Sequence, residues 1–396
     1  MRRRRQMVHA VRMGDSMRSV AAAFGVSVGT VALWAARAQG QRLDRVDFAD
    51  GKPGRAANRL PARMERRILR ARALLRTSVL GEYGAQAIAG ALAERHPNEP
   101  VPGRATIHRV LLRHGAIDSV HRQRRAPPPK GWYLPEVAQA RAELDSCDFI
   151  EDLKIANGPL VSILTATSLH GALADAWAMT EPTAQHTLER LLQRWRQDGL
   201  PGYAQFDNDT VFQGTHRFAD SIGRVIRLCL ALGVTPVFAP PREPGFQNAI
   251  EGFNALWQAK VWQRHRVANL GHLDHISAAY ISAHRTKTAS RADAAPARQP
   301  VPKRFELDLH APLRGSIIFI RRTTDSGSVN VLGRQFAVDP HWIRRLVRCE
   351  VDFTNHRVRF YALRRREPHD HPLLNETSYI RHDRPFKGKP QVFNER

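Results

Sequence analysis

The sequence predicts a multidomain α/β protein, with helix-turn-helix units at the N-terminal end, a mixed-sheet core in the middle and a small β-barrel at the C-terminal end. Three observations carry that expectation. First, the chain is long, 396 residues, and 42% hydrophobic, enough to build several cores, so a wholly disordered basic tail is excluded. Second, its formal charge of +24 is unevenly spread. Residues 1–130 hold 26 basic and 9 acidic side chains, residues 131–290 hold 14 and 16, and residues 291–396 hold 21 and 12. Two basic ends suit a polyanion and the slightly acidic centre suits cations. Third, the pattern changes from helical at the N-terminal end, to strands alternating with helices, to closely spaced short strands.

The first element group spans residues 1–50. Met17 to Trp34 carries two short helical patterns that meet at Gly25, a permissive turn residue, with Ala21 small where the helices cross and Val31 apolar behind the turn. Ser27 is the expected N-cap of the second helix, the one suited to a DNA major groove, and Ser27, Thr30 and Arg37 are its candidate contacts. Residues 51–121 open with a linker rich in Gly, Pro and Asn and then give three helical patterns. Their last, ATIHRVLLRHG, follows a Pro-rich loop and reads as a second helix-turn-helix or a winged helix, with Thr106, His108, Arg109 and Arg113 as candidate DNA contacts. An ordinary solvated helix face competes equally there. Residues 122–138, with RQRRAPPPKG at their start, read as a basic, semi-rigid linker.

From 139 to 296 the expected order is three strands in a meander (around Ser146–Ile150, Leu160–Ser168 and Ala172–Met179), then helix, strand, helix, strand and a long helix from Asn248. That order resembles the ribonuclease H-like fold. Residues 305–366 contain SIIFIRR, SVNVLGRQFAV, RLVRCEVDF and RVRFYALRR, short strands broken by turns, which suggest the small barrel. Residues 367–396 read as a flexible tail.

Three carboxylates fall where this topology would gather them. Asp148 lies in the strand SCDFIEDL, where alternation would bury Cys147 and Phe149 and send Asp148 to the other face; Asp207 ends the strand YAQFD; Glu251 lies one turn into the helix NAIEGFNALW. With these residues on view, the chain resembles integrase-type Asp-Asp-Glu transposases of bacterial insertion sequences, which share a core with retroviral integrases. The matching pieces are Asp148-Phe149, the strand-end Asp207-Asn208, Pro240 with Pro244, and Ile250-Glu251-Gly252-Phe253. Two departures stand out: Asp209 replaces the usual Gly, and Glu251 lies farther from Asp207 than is common, while Glu243 lies at the shorter spacing on a loop between prolines. Glu251 is preferred because a helix fixes its direction.

The resemblance implies metal-dependent DNA end cleavage and strand transfer. It implies two Mg2+ or Mn2+ ions held by Asp148, Asp207 and Glu251, double-stranded DNA as partner and a homo-oligomer on that DNA. No Gly-x-x-x-x-Gly-Lys-Ser/Thr is present, so any ATPase helper would be a separate protein. Two other readings compete: a catalytically inactive DNA-binding regulator or architectural protein, and a ribonuclease H-like nuclease that cleaves without joining. Cys147, Cys229 and Cys349 are too far apart for a zinc knuckle and odd in number, and no long apolar run follows the N-terminal arginines, so a cytoplasmic, nucleoid-associated location is expected.

Overall fold

The computed structural model describes residues 2–48, 60–117, 130–243, 245–365, 367–381 and 391–394. Two compact units divide the chain, Met1–Ile68 and Leu69–Arg396.

The first unit opens with α1 (Arg2–Arg12), α2 (Met17–Phe24) and α3 (Val28–Ala38). Ser16 caps α2 and Ser27 caps α3, each accepting a bond from the backbone N–H three residues on, and Gly25 ends α2 in the left-handed region at φ 58°. The two helices meet at 114°, across a core of Met7, Val8, Val20, Ala21, Val31, Trp34 and Phe48. Much of the arginine here works internally: Arg4 donates to the Phe48 carbonyl at 3.0 Å, and Arg12 donates to the Ala38 and Gln41 carbonyls at 2.6 and 2.8 Å. Sequence charge alone does not separate these fold-holding cations from those left for a partner.

Then come α4 (Ala62–Thr77), in which the unit boundary falls, α5 (Ala85–Arg95) and α6 (Arg104–Arg113). Ile107, Val110 and Leu111 bury one side of α6. Arg72 fastens this group by donating to the Tyr83 carbonyl at 2.9 Å and the Ala116 carbonyl at 2.6 Å. Among the described residues from 60 to 117 there is no strand, and residues 118–129, where a wing after α6 would fall, lie outside the described residues.

The linker expected over 122–138 must be shortened. Residues 118–129 lie outside the described residues, but Trp132, Tyr133, Leu134 and Val137 are buried, the last on the short helix α7 (Pro135–Ala138), and they pack against Phe246, Ile318 and Leu346. Burying four large apolar side chains contributes about 1.5–3 kcal/mol each, which ties this stretch to the core.

The rest of the second unit follows as β1 (Leu144–Lys154), β2 (Leu160–Ser168), β3 (Ala174–Met179), α8 (Ala184–Asp198), β4 (Tyr203–Phe206), α9 (Thr210–Gln213), α10 (Arg224–Ala231), β5 (Thr235–Phe238), α11 (Asn248–Trp257) with a π turn at Gln258–Trp262, and α12 (Leu270–Asp293). Then come β6 (Arg304–Leu307), β7 (Ser316–Arg322), β8 (Ser328–Val331), β9 (Arg334–Ala337), β10 (Leu346–Asp352), β11 (Arg357–Ala362), β12 (Leu373–Ser378) and β13 (Gln391–Asn394).

One nine-stranded sheet runs β12-β11-β10-β7-β5-β4-β1-β2-β3. β1, β2 and β3 are antiparallel, while β4 joins β1, and β5 joins β4, in parallel. This is the mixed α/β core the sequence led us to expect. Helices α8 and α10 cover one face, with Leu188, Leu191, Trp195, Val225 and Ile226 packed on Cys147, Leu164 and Phe206. Helices α11 and α12 cover the other, with Ile250, Phe253, Trp257 and Tyr280 on Ile150, Val161 and Ile163.

The separate small barrel expected over 305–366 is corrected. β7 pairs in parallel with β5 through Val237–Ile318 and Phe238–Phe319, so β7, β10, β11 and β12 extend the central sheet. The hairpin β8–β9 and the pair β6–β13 stand as two-stranded sheets, and no ladder among the described residues closes a barrel. The reason is continuity of core: Phe319, Val347, Cys349 and Phe360 belong to the same buried cluster as Phe206 and Trp195. Nor is the tail from 367 merely loose, since β12 pairs with β11 and Tyr379 is 1% exposed.

Candidate active site

Asp148 lies midway along β1. Its neighbours lie on the opposite face, Cys147 fully buried but Phe149 only half-buried, its ring tilted on Phe212 at 5.3 Å, and Phe212 stacks in turn on Phe206 at 4.9 Å. Those rings hold β1 and β4 together on one face, while Asp148 lies on the face covered by α11. Just beyond Asp148 the strand bulges, with Asp152 at φ 57° and a register shift between Ile150 and Leu153. Bulges re-aim side chains and are common beside functional sites.

Asp207 follows the last residue of β4, and Glu251 lies in the first turn of α11. Asp148 and Glu251 line one open cavity with Glu151, Asn254, Gln258 and Gln263. Burial and the Asp207 carboxylate, followed by the charges of Glu251 and Glu151, push the Asp148 carboxyl up to about 6, against a bond from the Phe149 backbone N–H. Asp207 is also raised, by burial and by the charges of Asp209 and Glu151, against a bond from the Asp209 N–H. The arrangement therefore brings Asp148 within electrostatic reach of both other predicted carboxylates.

No ion pair among the described residues offsets this repulsion. Among the described residues, no Lys or Arg forms an ion pair with Asp148, Asp207 or Glu251. By contrast Arg194, its side chain 0% exposed, bonds Asp145 at 3.0 Å and also meets Asp175 and Asp198, while Arg298 and Arg285 complete that buried network. Carboxylate oxygens are the hard donors that Mg2+ or Mn2+ takes. The side chains are not drawn into a closed shell, and among the described residues no three metal-ligating groups stand close enough to form one.

Glu243 is occupied elsewhere. It pairs with the Arg322 guanidinium on its loop, whereas Glu251 has no such partner. Asp209 is not a spare ligand either: its carboxylate caps α9, accepting from the Val211 N–H at 2.6 Å. Asn208 spends its amide on the Ala239 carbonyl at 2.7 Å and the Arg321 guanidinium at 2.8 Å, tying the ends of β4, β5 and β7.

Two participants were missed from sequence. Asn254 donates to Asp148 Oδ2 at 2.9 Å, and the Thr165 hydroxyl donates to Asn254 Oδ1 at 2.7 Å. Asn254 stands three residues after Glu251, the spacing that places two residues on one helix face, so the signal was available. Thr165 is opposite Asp148 in the β1–β2 ladder, a pairing that only the register reveals.

The remaining candidates lie on helices. Ser27 caps α3, its Oγ 2.9 Å from Thr30 Oγ1, and exposed Arg37 stacks over Trp34 at 5.2 Å. On α6, His108, Arg109 and Arg113 are exposed and Thr106 is half-buried.

No protein-family model and no curated protein sequence matches the chain. Several solved structures are similar to parts of it. The catalytic core domain of BIV integrase is 19% identical, covers 36% of this chain and 81% of its own, and has a TM-score of 0.26. A structure of the simian T-cell lymphotropic virus intasome in complex with PP2A regulatory subunit B56 gamma is 12% identical over 66% of this chain and 84% of its own, with a TM-score of 0.32. The HTLV-2 integrase catalytic core domain in complex with magnesium, in a dimeric form, is 12% identical over 40% of this chain and 87% of its own, with a TM-score of 0.27. The site rests on the residues described above and not on these likenesses.

Proposed function

We propose that this chain is a DNA-cleaving and strand-joining enzyme, a transposase or integrase that moves an insertion sequence. The observation that carries the reading is the mutual charge of Asp148, Asp207 and Glu251, which no ion pair among the described residues offsets, at the edge of an open cavity. Asp148, Asp207 and Glu251 would hold two Mg2+ or Mn2+ ions. Bound there, such ions supply charge neutralisation for the phosphate and lower the pKa of an attacking oxygen. The chain's own residues do the rest: Asn254 and Thr165 orient Asp148, and the Phe149–Phe212–Phe206 stack keeps the two Asp-bearing strands together.

Double-stranded DNA is the proposed partner, read by α3 through Ser27, Thr30 and Arg37 and held by α6 through Thr106, His108, Arg109 and Arg113. Assembly as a homo-oligomer on DNA, a separate ATPase helper and a cytoplasmic, nucleoid-associated location belong to the same proposal. One observation favours a second reading, an inert-core DNA-binding regulator: the three carboxylates stop short of a closed ligand shell. Incubation of the purified chain with DNA from both flanks of its own gene, with Mg2+ or Mn2+, separates the two. Nicked ends and joined products support the enzyme; tight DNA binding with no cleavage supports the regulator.

A further inference from the structure

Between α4 and α5, residues 78–83 run against the far end of the helix that carries Glu251. There α11 gives way to the π turn Gln258–Trp262, closed by the Gln263 N–H on the Gln258 carbonyl at 2.8 Å. Five residues of α-helix would turn about 140° past a full circle. The wider turn brings Gln263 back toward the side of Gln258, and both line the cavity of Asp148 and Glu251. Turns of this kind inside α-helices are frequent at functional sites.

Two cations at this turn grip the passing chain. Lys260 Nζ donates to the Gly81 carbonyl at 2.8 Å, and Arg264 donates to the Ser78 carbonyl at 2.7 Å and the Val79 carbonyl at 3.3 Å. The Tyr83 ring meets Lys260 at 5.3 Å and Arg72 of α4 at 4.7 Å, while Lys287 of α12 pairs with Glu82. Leu80 packs on the core that holds Trp257, Val261 and Tyr280. Glycine at 81 permits the close approach, since its φ is 55° and a Cβ there would stand 2.7 Å from Arg264 Nη1. Bonds from a full cation are stronger than neutral ones, and Arg72 continues the chain of them to the Tyr83 carbonyl and to the Ala116 carbonyl beyond α6.

We propose that residues 78–83 form a strap that couples the α4–α6 helix group to the helix bearing Glu251, with Lys260 and Arg264 as the positioning residues that carry the link. They hold the π turn from outside, and the turn in turn fixes how the end of α11 faces the carboxylate cavity. A disturbance at α4–α6 therefore reaches that cavity through these two side chains. That DNA held at α6 would be felt at Glu251 rests on the reading above; the strap itself does not.

Hydrogen exchange of the full chain, without DNA or metal, reads the coupling. Lys260→Ala combined with Arg264→Ala should speed exchange at 258–263 and at 248–257 by about tenfold, the loss of one charge-assisted bond, and leave α8 on the opposite face of the sheet unchanged. Lys260→Arg combined with Arg264→Lys keeps both charges and should recover most of the wild-type protection. Arg72 makes no bond to α11 or the π turn. Arg72→Ala should nevertheless speed exchange at 258–263 by about threefold in the wild type and add nothing in the double variant, because members of one network are not additive. Wild-type exchange at 248–257 in the double variant, or an Arg72→Ala effect that persists there in full, overturns the proposal. Fast exchange everywhere, α8 included, would mean that the double variant is unfolded, and Arg264→Ala alone, at an exposed position, then supplies the same two readings. Failure here leaves the carboxylate cluster as it stands, and a chain that never cleaves DNA can still carry the strap.

Discussion

Asn254 and Asp148 share a hydrogen bond of 2.9 Å between the side-chain amide of a helix and the carboxylate of a strand, and Thr165 locks the amide in turn at 2.7 Å. The same hydroxyl also lies 3.0 Å from the Asp148 carbonyl. Asp148 is thereby held by two neighbouring elements, β2 and α11.

Asn254→Ala should lower strand cleavage by about 10–100-fold, the usual loss when a group that orients a metal-binding carboxylate is removed, without weakening DNA binding. Thr165→Val should produce a smaller loss in the same direction. Asn254→Asp, which places another negative charge against Asp148, should be worse than Asn254→Ala. Rates measured at saturating DNA, alongside affinity, check the split; wild-type rates in Asn254→Ala would show that the bond orients nothing of consequence.

Glu251→Gln should abolish cleavage, and Glu243→Gln should not. Glu243 closes a partly exposed pair with Arg322, worth no more than about 1 kcal/mol of stability. Side-by-side cleavage assays decide between the two, and the reverse pattern would move the third carboxylate to the loop.

The buried network around Arg194 governs stability and not chemistry. Burial alone would raise the Asp145 carboxyl, but Arg194 and Arg298 outweigh it and hold the group well below the usual carboxylate range. A carboxyl depressed in the folded state adds stability above its unfolded pKa of about 3.9, and that stability drains away as pH falls from there toward the folded value. Asp145→Asn should therefore destabilise the fold at neutral pH, leaving Arg194 with Asp175 and Asp198 alone and Arg298 without its carboxylate, and should flatten acid unfolding below about pH 4. Urea unfolding at a series of pH values tests both parts.

Within the first unit, arginines divide by role. Arg37→Ala should cut the salt slope of duplex binding by about 0.9, one phosphate contact, with little change in melting. Arg12→Ala should instead lower the melting temperature, because Arg12 holds the Ala38 and Gln41 carbonyls. Equal effects of both on melting, with no change in salt slope, would deny α3 a role at DNA.

The pattern of the core was legible where local chemistry settles it. β2 follows from a β-branched and apolar run closed by Gly158-Pro159 on one side and His170-Gly171 on the other, and Asp148 follows from simple alternation. Helix α12 was not foreseen, although it is the longest in the described chain. Its buried stripe includes Ser277, His284 and Thr288, polar residues that hide a helical period from any reading based on apolar spacing. The C-terminal strands were visible one by one, but short strands look alike whether they close a barrel or extend a sheet. Only the Val237–Ile318 and Phe238–Phe319 pairing, made across some 80 residues, decides it. Trp132 and Tyr133 follow a run of prolines that locally has the signature of a linker, and their burial against Phe246 is a long-range event.

Calorimetric titration of the full chain with Mn2+ tests most directly the proposed cation site at Asp148, Asp207 and Glu251. Saturable binding in the wild type, lost in Asp148→Asn and Glu251→Gln but kept in Glu243→Gln, is the predicted result. Binding that survives both Asp148→Asn and Glu251→Gln, or no Mn2+ bound by a folded wild-type chain with its DNA present, would contradict it.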